Sequence, residues 1–343
     1  MSLSRREYIL KLIVEEFISS AEPVGSNTLI NKYQLDLSSA TVRNEMMELE
    51  RMGYIEKTHT SSGRVPSSKG YKYYVDHLSK NDEVEVDESF KREFQMVLKQ
   101  KSQSVEEVME KSCAILSEMT NLATVVLGPD ASNEHLVSVQ IVPISSKAAT
   151  AIFVTDRGYV ENKTFILDGK HDSNDILKCV EILNKRLVGS SLIDITPKLN
   201  ALKPILTEML GQSYNFLMDA FIETFVKFAK ERISTYGTRK LLDVPEYDND
   251  KKKLQKVMDL LDDPTKLKEI VSSMSSVDDN VMLSSDEEDI AIVKRDFGNN
   301  AKIAIVGPQR MDYKKILSTL EYIAEELDKF FGDSLERNKD DEI

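Results

Sequence analysis

Cysteine is nearly absent from this chain: Cys113 and Cys179 are the only two in 343 residues. Two cysteines so far apart exclude a disulfide framework and a cysteine-rich zinc site. Histidine is as sparse. His59, His77, His135 and His171 never stand in H-x-x-x-H spacing, so no zinc-protease pattern forms. None of the 13 glycines lies two residues from another, which removes the dinucleotide-binding G-x-G-x-x-G. The phosphate loop G-x-x-x-x-G-K-[S/T] and the nucleophile elbow G-x-S-x-G are missing too. No apolar run approaches the roughly 20 residues that span a bilayer. The first residues carry no apolar signal core. These absences point away from an enzyme, a metal or cofactor protein and a membrane protein. They predict a soluble, cytoplasmic chain.

What is present is globular. Hydrophobic residues make up 41% and charged residues 30%. The length predicts two or three domains at about 100–200 residues each. The net charge is −13, which argues against a body that attracts polyanions as a whole. The charge is uneven, however. Residues 1–80 hold 11 basic and 10 acidic residues, a net of +1, while the rest hold 34 and 48, a net of −14. The window 57–74 carries Lys57, Arg64, Lys69 and Lys72 and no acid at all. A small basic region on a repelling body suggests a local polyanion site.

The local patterns in residues 1–80 predict three short helices and a hairpin. Ser4 and Glu7 form an S-x-x-E capping box. Tyr8, Ile9, Leu12, Ile13 and Phe17 follow at helical spacing. Pro23 and Gly25 break that helix, and Ser26 is expected to cap a second one. Ser38 is expected to cap a third, which ends at Gly53. Val42, Met46 and Leu49 give the third helix its buried face. Ala40, Asn44 and Arg51 lie opposite, flanked by Thr41, Arg43 and Met47. Small and hydrogen-bonding residues at a helix start suit a major groove, because Arg and Asn can each grip a base edge with two bonds. Arg43 and Asn44 are therefore expected at base edges, and Ser39 and Thr41 at phosphate. A strand near 54–57, a hydroxyl-rich turn and a return at Val65 and Pro66 complete the order of a winged helix. Its basic hairpin would set His59, Arg64, Lys69 and Lys72 on phosphates. A ligand-sensing or protein-interaction module that uses its winged helix as a contact surface is the competing reading. It has no need of the acid-free window.

These residues resemble the HrcA family, the heat-inducible transcription repressors of bacteria. The matching stretches are E-P-V-G-S at 22–26, L-S-S-A-T-V-R-N-E-M at 37–46, L-E-R-M-G-Y-I at 49–55, H-T-S-S-G-R-V-P at 59–66 and K-G-Y-K-Y-Y-V-D at 69–76. The resemblance resumes at V-G-P-Q-R-M-D-Y, 306–313, with fainter echoes at 183–192 and 241–247. It implies negative regulation of chaperone operons through an inverted-repeat operator of the CIRCE type, bound by a homodimer. It also implies a GroEL-type chaperonin as partner.

Beyond residue 80 the strand and helix patterns predict an α+β multidomain chain. The expected order is a winged helix at 1–80, a linker and helix at 81–104, and a GAF-like α+β domain at 105–195 and 246–332. An inserted segment is expected at 196–245 and an acidic tail at 333–343. The GAF-like assignment comes from the resemblance. The acidic run 286–289 reads as a solvated loop. Within the insertion, Tyr214, Leu217, Phe221, Phe225 and Phe228 recur at three and four, a packing seam. Periodicity alone fits an internal core helix as well as a subunit interface. The resemblance implies the interface, since the family carries an inserted dimerisation segment.

Overall fold

The computed structural model describes residues 3–57, 63–79, 84–99, 105–128, 134–145, 148–156, 160–166, 173–210, 222, 233–248, 250–274, 280–284, 288–297 and 301–340. Within these the chain is mixed helix and sheet, an α+β fold. His59 and the seam residues Tyr214, Leu217, Phe221, Phe225 and Phe228 lie outside the described residues.

Helix α1 (Arg5–Ser20) begins with the expected box: Ser4 Oγ accepts from the Glu7 amide, and the Glu7 carboxylate accepts from the Ser4 amide at 2.8 Å. Ile9, Leu10, Leu12, Ile13 and Val14 are buried. Ala21, in the left-handed region at φ 56°, stops the helix by donating to the Phe17 carbonyl. Helix α2 (Ser26–Tyr33) is capped by Gly25, not Ser26, which falls inside the first turn. Helix α3 (Ser39–Arg51) takes Ser38 as its cap and buries Val42, Met46 and Leu49. Gly53 turns the chain at φ 76°. Strands β1 (Ile55–Lys57) and β2 (Arg64–Pro66) then pair antiparallel, Glu56 opposite Val65, and Val24 adds a bridge to Arg64.

Helix α4 (Ser68–Tyr73) continues as a π-turn through Leu78 and buries Tyr71, Tyr74, Val75 and Leu78. It presses on the hairpin at Gly70. A Cβ there would stand 2.0 Å from the Tyr54 carbonyl oxygen. That atom is backbone and cannot swing aside. Gly70→Ala is therefore expected to cost about 1–3 kcal/mol, the usual cost of overpacking, read as a lowered urea midpoint. An unchanged midpoint would mean that the two segments are not in contact.

The body is built on a five-stranded antiparallel sheet in the order β7-β3-β10-β9-β8. These strands are Ile233–Tyr236, Ala123–Leu127, Ala301–Gly307, Ala291–Phe297 and Val281–Leu283. Helices α5 (Glu88–Leu98) and α6 (Val105–Thr120) precede it, and the long α11 (Tyr313–Asp340) packs on β9. Phe90 and Phe94 of α5 meet the Tyr322 ring edge-on. Before the last strands come two short helices, α9 (Lys251–Leu261) and α10 (Pro264–Ser273). Pro264 lacks the amide that a continuous helix needs and starts the second one instead.

A smaller sheet of β4 (Leu136–Ser145), β5 (Ala148–Thr155) and β6 (Val160–Ile166) packs on α7 (Ser173–Leu187) and α8 (Leu192–Leu210). Its core is separate. Val139, Phe153, Leu183, Leu187, Ile195 and Leu199 form one cluster, while residues 1–79 and the five-stranded sheet share another. The second cluster runs from Leu136 to Leu206. Strands β3 and β7 are hydrogen-bonded neighbours, Val125 opposite Thr235, and the described strands between them in sequence, β4–β6, form the separate smaller sheet.

Candidate nucleic-acid interface

The first turn of α3 lies against the first turn of α2. Ser26 Oγ is 3.3 Å from Ser39 Oγ, and Ser39 Oγ donates to Asn27 Oδ1 at 3.1 Å. Arg43 Nε donates to Ser26 Oγ at 3.3 Å, which leaves the two terminal nitrogens of its exposed fork pointing away from that bond. Thr41 Oγ1 and Ser38 Oγ stand 2.8 Å apart at the cap. No acid occupies the first turn of α3, so the partial positive charge of its N-terminus is uncancelled. Ala40, Arg43, Asn44 and Met47 are exposed. Together they form a hydroxyl- and amide-lined ridge with one cation. Such a ridge can donate to phosphate at its start and grip a base edge a turn later.

Three of the expected cations are placed differently from Arg43. Arg51 lies at the far end of α3 and pairs with Glu48 at 2.8 Å, a bond that raises the basicity of Arg51 and lowers that of Glu48. Arg64 is mostly buried, and its Nε and Nη2 both hold Glu50, at 2.9 and 2.7 Å. Both nitrogens meet the same Oε2, and this charge-assisted pair ties the hairpin to α3. Lys72 is turned to the body, where Nζ donates to the Val281 carbonyl at 2.9 Å. Lys69 differs. It is exposed, its Nζ meets the Met52 carbonyl at 2.8 Å and lies 4.7 Å from the centre of the Tyr54 ring, and neither partner is an acid.

The ridge is held from behind by α1. Arg6 Nε meets Glu45 of α3 at 2.9 Å. Glu16, buried, receives Lys32 Nζ at 2.6 Å and the Tyr33 hydroxyl at 2.9 Å, both from the end of α2. The Lys32 hydrogen bond holds the Glu16 carboxyl below its usual range. Glu7 is held lower still, at about 2, by Ser4 and then by the Tyr73 hydroxyl. Both carboxylates are bound as anions in the folded state. Their contribution is present above the ordinary carboxyl range and is lost as pH falls through it.

Ser26 and Asn27 are the site residues that sequence reasoning left out. Periodicity makes Ser26 look like a cap. Only the contact between two helix starts, far apart in sequence, shows it orienting Arg43.

The chain was compared with known proteins. Residues 106–317 match the family model for the HrcA protein C-terminal domain. A heat-inducible transcription repressor HrcA of Halalkalibacterium halodurans is 34% identical over 348 residues, covering 97% of this chain and 98% of that protein. One of Bacillus pumilus is 34% identical over 345 residues, covering 95% and 97%. A crystal structure of a hypothetical protein at 2.2 Å has a TM-score of 0.65 at 20% identity, over 96% of this chain and 99% of that one, and so shares the fold. Matched by the family model over more than half its length, and by two such relatives from end to end, the chain belongs to the HrcA family.

Proposed function

We propose that the protein is a heat-inducible transcription repressor that binds an inverted-repeat operator of the CIRCE type as a homodimer. The family is one of transcription repressors, not of enzymes. In this reading residues 3–79 are a winged helix, α3 reads the major groove, and the β1–β2 hairpin lies along the phosphate backbone. The five-stranded sheet with its helices is the GAF-like domain. The second core, between β3 and β7, is the inserted dimerisation unit. The observation that carries the reading is the α3 ridge: Arg43 and Asn44 exposed beside an acid-free helix start, on a chain of net charge −13. A body that repels DNA gains nothing from such a ridge unless the ridge itself meets DNA.

The salt dependence of binding tests it. Each cation that pairs with a phosphate releases counterions, and its removal lowers the slope of log affinity against log salt by about one. Lys69→Ala is expected to do so, since Lys69 is exposed and has no acidic partner among its contacts. Arg64→Ala is expected to change the slope less, because Glu50 already neutralises that guanidinium. Wild-type binding with no salt dependence would favour the protein-contact reading.

Release on heating follows from the dimer. By mass action a dimer weakens on dilution, so operator binding should fall on mild heating at a temperature that rises with protein concentration. Apolar surface exposed by the opened dimer is what a GroEL-type chaperonin would capture and restore. Circular dichroism alongside binding checks this. Loss of binding only at global unfolding, independent of concentration, would contradict it.

A further inference from the structure

Helix α1 carries no basic residue in its last turn, although the unpaired carbonyls of a helix C-terminus favour a cation. The body supplies one to those carbonyls and pairs a second cation with Glu15, about a turn earlier. Arg310, in the connection between β10 and α11, donates from Nη1 to the Ile18 carbonyl at 2.9 Å, while its Nε is held by Glu246. Lys314, in the first turn of α11, meets Glu15 of α1 at 2.6 Å. Beside them Gln309, buried, accepts from Ser68 Oγ at 2.8 Å and donates to the Ser284 carbonyl at 3.0 Å. Asp289 braces this corner. It receives the Gln309 amide at 3.0 Å and Lys253 at 3.0 Å, so the last residue of the acidic run is a half-buried anchor and not a solvated one. The Tyr71 and Tyr313 rings pack 6.0 Å apart across the same contact.

The stretches 306–313 and 241–247 are therefore not scattered. Gln309, Arg310 and Tyr313 from the first and Glu246 from the second meet where the body grips the N-terminal unit. The grip falls on α1, the helix that holds both other helices of that unit: α2 through Glu16 to Lys32 and Tyr33, and α3 through Arg6 to Glu45. Moving the end of α1 moves the ridge.

We propose that Arg310 and Lys314 are positioning residues for DNA recognition: supplied by the body to the C-terminal half of α1, they set the angle at which each α3 is presented. The inference rests on the operator-binding reading above. Its consequence is selective. One half-site needs only a folded N-terminal unit. Two half-sites at fixed spacing need two units held at the right separation, and the gain from joining them is lost when the geometry forbids simultaneous contact.

The test uses the full chain, wild type and Arg310→Gln with Lys314→Gln. It measures fluorescence anisotropy on two duplexes, one with the native inverted repeat and one with a single half-site intact. The double variant is expected to keep half-site affinity within about twofold and to lose about tenfold or more on the full repeat. A second variant adds Ser19→Lys, which gives α1 a cation of its own. It is expected to recover thermal stability but not full-repeat affinity. If Ser19→Lys restores full-repeat binding, the two residues merely cap a helix and the proposal falls. Unchanged binding on both duplexes, or equal loss on both, also overturns it. A wild-type chain that binds neither duplex overturns the DNA reading itself, which separates the two failures.

Discussion

An Arg43→Ala chain is expected to lose roughly 1–3 kcal/mol of operator binding, while its affinity for random DNA changes only by the loss of one charge. The expectation comes from how the side chain is held. Ser26 takes the Nε hydrogen, which orients the fork without using its outer nitrogens. Those two nitrogens have the spacing that meets the O6 and N7 acceptors of a guanine. Arg43→Lys should be nearly as damaging for discrimination, since an ammonium cannot form the paired contact. It should leave the salt slope intact, since the charge remains. Arg51→Ala is the contrast within the same helix, because its guanidinium is already paired with Glu48 and sits at the opposite end. Competition binding with operator and scrambled duplexes measures all three. Equal losses on both duplexes would reassign Arg43 to the backbone.

Replacing Phe221 and Phe225 together by Asp is expected to give folded monomers and to weaken operator binding by about two orders of magnitude or more. Two half-sites bound by one dimer gain from effective concentration, and a monomer forfeits that gain whatever its own fit to DNA. Ile222, which stands between the two phenylalanines in sequence, packs partly buried on the core of β4–β6, α7 and α8. That core is separate from the one beneath the α3 ridge, so damage to it should leave the N-terminal unit folded. Sedimentation gives the mass and circular dichroism the fold. Dimers that survive both substitutions would make the seam an internal core. Unfolded protein would do the same.

The N-terminal unit was legible in the sequence because local rules fix it. A capping box at Ser4 and Glu7, a cap at Ser38, a left-handed stop at Gly53 and a buried stripe of Val42, Met46 and Leu49 all act within a few residues. The body was legible in its elements but not in its partition. β3 reads A-T-V-V-L and is buried at every position, and β7 is four residues long, so neither shows alternation. Their pairing is a long-range fact. The site shows the same split. Arg43 and Asn44 could be read from the face of one helix. The engagement of Arg64 by Glu50 could not, because it depends on how the hairpin folds back on α3. Nor could the turning of Lys72 to the body, since charge along a sequence does not say which way a side chain points.

The central claim is that two α3 helices of a dimer read an inverted repeat. Footprinting of the full chain on its own promoter, with hydroxyl radicals at single-nucleotide resolution, tests it most directly. The expected result is two protected patches related by a two-fold axis, their centres about 10–10.5 base pairs or a multiple of that apart, on one face of the duplex. Arg43→Ala should erase both patches at a protein concentration where wild type fills them. A single patch, or protection that spreads along any duplex at equal concentration, would contradict the account.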